Sequence, residues 1–476
     1  MSSALVLTGE RFRRAFLVNL VTYVGTSVLR FGVGLALARL MAPDQLGLFA
    51  IALGVAGLLA IVRDAGVSAY LQHAPELSAE RFQACLGVSL CATAIAVGLL
   101  LAGSGLAARH FNQPALQPLL QVLSLGLLLT TRGSLMAALA LRDMDAQRIA
   151  AVSRIGSLVH ALASVGLVLL GWGVQGLAWA YVINVVVANG VYLWNPPASA
   201  QGLAWRPRFT GWRGPLRFGL GASAGQLLQA LNNTLPDLLL GRIASPLLVG
   251  LLGRAQATVG LFGSLLGPVL GFGALPGLAQ LHHRREPLAP VLMRAIALVT
   301  GLAWPLLALS VCYGRELLLL LYGPAWESCV PALLPLAVVA GLGLMFSNLG
   351  IALSAVGRPS LAALLTGMTL IARLLLLLLR FDGSLASCAW ALAGASLCVL
   401  PLQVLLCDVC LGLPLVSLWR AVRGSMALAL CALAAALLLA PWAALPAWAL
   451  AVACSGSHPL RDEAFQLLRL RSTIRK

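Results

Sequence analysis

The chain has 476 residues, 60% of them hydrophobic and only 10% charged, with a formal net charge of +17. A soluble domain carries about 25% charged residues, so this composition excludes one. Apolar runs of about 20 residues recur from end to end, each long enough for a hydrocarbon core about 30 Å thick; the composition predicts an all-α polytopic membrane protein.

The apolar runs predict fourteen spans, near 16–38, 46–62, 84–106, 116–140, 152–170, 174–193, 216–240, 248–272, 291–312, 329–354, 361–379, 385–406, 424–440 and 443–456. With residues 1–15 taken as cytoplasmic, and Arg154, Arg217 and Arg294 at the inner edges of spans counted with the adjoining loops, 23 of the 32 Arg and Lys fall in cytoplasmic segments and five in outer loops. That asymmetry places both termini in the cytoplasm. It also excludes a nucleic-acid partner, because the basic residues follow membrane topology and form no single patch. The remaining four, Arg30, Arg132, Arg254 and Arg373, lie inside spans. An arginine at the membrane centre costs about 2.5–3.5 kcal/mol on insertion scales and needs a cavity, a partner or an escape to the surface.

Span 1 carries Asn19, Tyr23, Thr26 and Arg30 at spacings of four, three and four, which puts them on one helical face. Immediately after it comes R-x-x-x-P-x-x-x-G-L, at Arg39, Pro43, Gly47 and Leu48. Arg132, in the inner half of span 4, is within snorkelling distance of the cytoplasmic surface. Arg63 with Asp64, and Arg142 with Asp143, read as ion pairs at span ends. The stretch Asn195 to Gly214 reads as an interfacial linker, with its arginines and Trp205 and Trp212 at the lipid headgroups.

The pattern then starts again. Span 7 carries Gln226, Gln229, Asn233 and Asp237 on one face, and R-x-x-x-P-x-x-x-G-L recurs at Arg242, Pro246, Gly250 and Leu251, an offset of 203 at every position. P-A-L-x-P-L appears at Pro114–Leu119 and again at Pro331–Leu336, at an offset of 217. The same offset of 203 puts Gln226 on Tyr23, Gln229 on Thr26 and Asn233 on Arg30. The copies lie six spans apart on one side, so the repeats are parallel, and substrate sites of such transporters lie at the repeat interface. The expected organisation is a six-helix lobe at 16–193, a cytoplasmic linker at 194–214, a second lobe at 215–410, two additional helices at 411–460 and a basic amphipathic cytoplasmic tail at 461–476. The two polar stripes are expected to face a central cavity between the lobes.

That cavity is expected to be positive. Arg30 sits on a stripe, Arg254 lies a turn into span 8, and Arg132 and Arg373 are further candidates, against Asp237 as the one acidic residue at comparable depth. Such a cleft suits a phosphate or pyrophosphate. Arg39, Pro43 and Gly47, with Arg242, Pro246 and Gly250, read as structural elements of the outer loops and the outer gate. No catalytic constellation, metal-ligand spacing or phosphate-binding glycine loop is visible, so neither a cofactor nor an enzymatic activity is expected. The ten cysteines are scattered, and Cys407 and Cys410 have no second pair, so they read as packing residues.

Several stretches together resemble the polysaccharide-biosynthesis flippases, the O-antigen type included, of the multidrug/oligosaccharidyl-lipid/polysaccharide exporter superfamily. They are L-A-R-L-M-A-P-D-Q-L-G-L-F-A at Leu37–Ala50, V-R-D-A-G-V-S-A-Y-L-Q at Val62–Gln72, R-D-M-D-A-Q-R-I-A at Arg142–Ala150, D-L-L-L-G-R at Asp237–Arg242, L-P-G-L-A-Q-L at Leu275–Leu281 and L-Y-G-P-A-W at Leu321–Trp326. The stretches fall in order, and the resemblance covers roughly Arg11 to Cys410. The resemblance implies two six-helix bundles around a cavity open alternately to each side. It implies transport of an undecaprenyl-diphosphate-linked oligosaccharide to the periplasmic leaflet of the cell inner membrane. It places the cavity arginines on Arg30 and Arg254 and the acidic position of span 7 on Asp237, where Pro236 is a departure. A polysaccharide polymerase and chain-length machinery are the implied partners, beside membrane lipids. The alternatives are a cation-coupled drug exporter, which would want acidic cleft residues, and a membrane polymerase or glycosyltransferase, which would want a large outer loop.

Overall fold

Proline and small polar caps set several of the helix starts. In the computed structural model the described residues are 3–461, except 75, 272–273, 440 and 456–457; side chains are described from residue 22 onward, except also 261–277 and 279. Asn19, part of the L-P-G-L-A-Q-L stretch and nearly all of the basic tail therefore lie outside the described side chains.

The helices are α1 (Ser3–Leu40), α2 (Pro43–Asp64), α3 (Val67–His73), α4 (Ala79–His110), α5 (Leu116–Arg142), α6 (Ala146–Leu169), α7 (Gly173–Trp194), α8 (Arg213–Ile243) and α9 (Pro246–Gly271). They continue as α10 (Ala274–His283), α11 (Ala289–Cys312), α12 (Gly314–Leu321), α13 (Val330–Met345), α14 (Leu349–Ala355), α15 (Pro359–Arg380), α16 (Leu385–Leu411), α17 (Leu415–Leu438) and α18 (Ala444–Cys454). No strand occurs among the described residues. Pro43, Pro246 and Pro359 open helices, where a missing N–H costs nothing. Ser78 caps α4 by accepting from Arg81 N–H at 3.2 Å, and Asp145 caps α6 by accepting from Arg148 N–H at 3.0 Å.

Among the described residues ten stretches are long and apolar enough to cross a membrane. The other four expected spans fall on α1, α8, α9 and α18. The polar stripe depresses the hydropathy of α8. The expected span at 329–354 is interrupted at Phe346–Asn348, between α13 and α14. α18 has eleven residues, about 16 Å at 1.5 Å per residue, half of a hydrocarbon core.

The chain divides into two compact units, Met1–Gly253 and Arg254–Lys476. In unit 1, α1 packs on α6, α6 on α7, α5 on α4 and α7, and α2 on α4, α5 and α8. Lipid offers no hydrophobic drive between helices, so association relies on close packing and hydrogen bonds. Thr93 of α4 and Thr131 of α5 hydrogen bond at 2.8 Å, both buried, and Asn189 Nδ2 of α7 donates to the Leu129 carbonyl of α5 at 2.7 Å. Gly66, with φ +66°, turns the α2–α3 corner so tightly that its backbone lies against that of Gly219 on α8. This contact helps to place α8 with unit 1, beyond the linker expected to separate the lobes.

In unit 2, α11 packs on α17, α13 and α15 on α16, and α18 on α17. Where α18 ends, His458 enters a slot left by Gly301 of α11 and Gly424 of α17. Its Nε2 lies 3.2 Å from Ser425 Oγ, which is 2.8 Å from Thr300 Oγ1, all buried. Trp448 Nε1 donates to the Gly301 carbonyl at 3.1 Å. These bonds pin a half-length helix that the apolar pattern alone reads as a span.

Candidate functional site

The repeated string is a place where the two sequence copies meet. Pro43 begins α2 and Pro246 begins α9, and one turn later each helix presents a glycine. A Cβ on Gly47 would run into the Pro246 carbonyl and the Gly250 nitrogen. A Cβ on Gly250 would run into the Pro43 carbonyl. The contact is reciprocal, as a local two-fold relation between repeats requires. Arg39 and Arg242, which precede the two turns, are exposed.

The polar stripes contribute unequally. On α1, Arg30 is exposed and Tyr23 half-buried, whereas Thr26 is buried with its hydroxyl donating to the Tyr23 carbonyl at 3.1 Å. That intrahelical bond is the usual local competitor for a mid-helix hydroxyl. Arg30 lies within electrostatic reach of His160 on α6, a neighbour that the scattered histidines of the sequence do not announce. On α8, Gln226, Gln229 and Asn233 are exposed, and Gln229 Nε2 donates to Asn233 Oδ1 at 3.4 Å. Asp237 is half-buried next to the buried Pro236, which lies inside the helix without ending it. Asn232, buried on the same helix, lies outside the expected stripe.

Arg254 belongs to a different arrangement. Its guanidinium lies 5.6 Å from the centroid of the Tyr322 ring and 5.6 Å from that of Trp326. Tyr322 is buried and Trp326 fully so. These are the two aromatic residues of L-Y-G-P-A-W, so that motif acts as an aromatic seat for a span arginine. Nearby, Arg315 Nε donates to Glu327 Oε1 at 2.7 Å, an exposed pair. The motif is legible in the sequence, but its arginine partner is not.

Arg132 lies 4.7 Å over the ring of Trp205, which meets Phe82 edge-on at 5.0 Å. Arg132 thus anchors the strap Asn195–Trp212 that leads into α8. Arg373 is half-buried on α15. At the span ends, Arg63 donates to Ser134 Oγ at 3.1 Å while Asp64 accepts from Ser68. Arg142 donates to the Leu71 and Ala74 carbonyls while Asp143 accepts from Ser199 N–H. Beside the attraction between Arg63 and Asp64, these residues thus tie neighbouring elements together: Arg63 joins α2 to α5, and Arg142 joins α5 to α3. Among the described residues no group of three or more His, Cys, Asp or Glu is placed to hold a metal.

Residues 36–331 match the family described as polysaccharide biosynthesis protein. The chain belongs to that family. The matched stretch contains both copies of the repeated string and L-Y-G-P-A-W. The succinoglycan biosynthesis transport protein ExoT of Rhizobium meliloti is 26% identical over 334 residues, 68% of this chain and 65% of the relative. The lipopolysaccharide biosynthesis protein WzxC of Escherichia coli is 23% identical over 352 residues, 71% of this chain and 69% of the relative. The chain thus spans about two thirds of the length of these relatives.

Among solved structures, the lipid II flippase MurJ in an inward closed conformation superposes with a TM-score of 0.76 at 9% identity, covering 92% of this chain and 98% of that one. An inward-facing multidrug resistance MATE family transporter of the MOP superfamily gives 0.62 at 14% identity, covering 82% and 96%. The all-helical polytopic fold is therefore shared with these two structures.

Proposed function

We propose that this chain flips a polyprenyl-diphosphate-linked oligosaccharide, of the undecaprenyl type, from the cytoplasmic to the periplasmic leaflet of the inner membrane during surface polysaccharide biosynthesis. The observation that carries the reading is the set of arginines in membrane-spanning helices, above all the exposed Arg30 on α1, in a member of a polysaccharide biosynthesis family. A diphosphate–sugar headgroup does not cross hydrocarbon unaided. Guanidinium donors and the amides of Gln226, Gln229 and Asn233 replace its water along the path, while the polyprenyl tail stays in lipid. Transport proceeds by alternating access. No covalent bond changes, so the reading assigns no enzymatic activity and no cofactor.

In this reading both termini are cytoplasmic, Arg254 is the cavity arginine of the second unit, and Arg39 and Arg242 belong to the outer gate. A polysaccharide polymerase and chain-length machinery receive the product. The drug-exporter alternative has the MATE likeness in its favour, but a cationic drug needs carboxylates where this chain carries arginine.

The test is reconstitution in vesicles with a fluorescent polyprenyl-diphosphate oligosaccharide. Accessibility to an externally added glycosidase should rise with active protein and should not with Arg30→Ala. Unchanged accessibility with the wild type, together with efflux of an organic cation, would favour the exporter.

A further inference from the structure

The strap between α7 and α8 reads in the sequence as a lipid-anchored linker, but it folds over a cavity. Arg208 N–H donates to the Gln83 carbonyl at 3.1 Å, laying the strap along the first turns of α4. Gly87 permits this, because a Cβ there would strike the Arg208 carbonyl. The half-open space left between the strap, α3, α4 and α8 is about 390 Å³, within the range of about 300–1,000 Å³ usual for small-ligand sites. Its polar lining comes from Tyr70, Glu80, Arg81, Arg208 and Thr210, and Gly214 leaves room on the α8 side.

Two guanidinium groups and one carboxylate thus line the cavity. Arg208 NH1 donates to Glu80 Oε1 at 2.9 Å, a pair with both side chains largely exposed, and Arg81 NH1 donates to the Glu76 carbonyl at 2.9 Å. A guanidinium has five N–H donors, so each retains capacity for a second acceptor. The rim is aromatic: Phe209, Trp212 and Phe218 are exposed at 63%, 44% and 45%. Exposed aromatic residues alternating with arginines along Arg208–Arg213 mark the headgroup level of a membrane. A cavity at that level, with a net cationic lining and hydroxyls at Tyr70 and Thr210, carries the donors that a lipid phosphate needs.

We propose that this cavity binds the headgroup phosphate of an anionic phospholipid, held by Arg81 and Arg208 with the hydroxyls of Tyr70 and Thr210. Assigning the lipid to the cytoplasmic leaflet rests on the proposed orientation of the chain, with both termini inside; the binding itself does not. Glu80 is a built-in competitor, since its carboxylate occupies donors of Arg208 that a phosphate would take. Anchoring the lipid here ties α3, α4 and α8 together at the strap.

The experiment uses the full chain in a zwitterionic detergent, with phosphatidylglycerol or phosphatidylcholine added and bound lipid counted by native mass spectrometry. Phosphatidylglycerol should be retained on the wild type at least fivefold more strongly than phosphatidylcholine. Arg81→Gln should remove most of that preference, and Glu80→Gln should raise it by about threefold. Opposite effects of the two variants are the signature, because general loss of structure would weaken both. Equal retention in wild type, Arg81→Gln and Glu80→Gln would overturn the proposal. So would inorganic phosphate displacing the lipid at equal concentration, which would reassign the site to a soluble anion. The vesicle flipping assay is independent of this one, so failure of lipid binding and failure of the flippase reading are separable.

Discussion

Gly47 and Gly250 occupy the same position in the two copies of the repeated string, and each lies against the proline carbonyl that opens the other copy's helix. Neither tolerates a side chain, because what a Cβ would meet is backbone and not a flexible tip. Replacing either with alanine should therefore lower thermal stability by the equivalent of about 1–3 kcal/mol, the usual cost of overpacking. Gly57→Ala, on the same helix with open space around it, is the control and should leave the melting temperature unchanged or higher. Fluorescence-detected melting in detergent measures all three. Equal tolerance of alanine at Gly47 and Gly57 would show that the close approach does not constrain the fold.

Arg254 depends on its aromatic seat. A cation–π contact contributes about 0.5–2 kcal/mol depending on desolvation, so Tyr322→Leu should weaken flipping modestly by loosening the guanidinium. Trp326→Ala should act differently, through a cavity costing about 3–5 kcal/mol, and should lower protein abundance. Arg254→Ala should abolish flipping with abundance near normal, and Arg254→Lys should rescue only in part, since lysine lacks the guanidinium fork. Activity per molecule in vesicles, normalised to protein by immunoblot, separates the cases. Full activity of Arg254→Ala would make the residue purely structural.

The stripes should differ in chemical accessibility. In a background without the native cysteines, Gln229→Cys and Asn233→Cys should react with a small water-soluble thiol reagent, because both positions are exposed and the proposed path for the headgroup runs along them. Thr26→Cys should be protected at least tenfold, because Thr26 is 5% exposed. Leu240→Cys, fully buried, sets the protected baseline. Reaction of Thr26→Cys at the rate of Gln229→Cys would show that α1 presents Thr26 to water.

The strap should loosen when its aromatic anchor goes. Trp205→Ala removes both the Arg132 stack and the Phe82 edge contact. Trypsin should then cut after Arg208 several-fold faster, while cleavage elsewhere is unchanged. Arg132→Gln should act in the same direction and more weakly, by the equivalent of about 0.5–1 kcal/mol for an exposed cation–π pair. Time-resolved gel analysis reads the rates, and identical strap cleavage in all three proteins would argue against the anchor.

The class of molecule, its duplication and its chemistry are all legible in the order of residues. A chain so apolar must satisfy its backbone internally as helices, and the offset of 203 makes Gly47 and Gly250 equivalent from the residue order alone. The excess of arginine over acid inside the spans, on which the proposed anionic cargo rests, can be counted from the sequence as well.

Partners were beyond its reach. Thr26 and Arg30 share a helical face, yet one is buried and the other exposed, because burial depends on which neighbour packs there and not on spacing. Arg254 is separated from Trp326 by 72 positions, and His458 from Gly301 by 157, and no local pattern links either pair. The same is true of the strap: as a string it is a basic, aromatic linker, and only the tertiary fold lays Arg208 along α4 and leaves a cavity beneath it. Periodicity and composition act locally along the chain, whereas a contact between distant residues exists only once helices have chosen their neighbours.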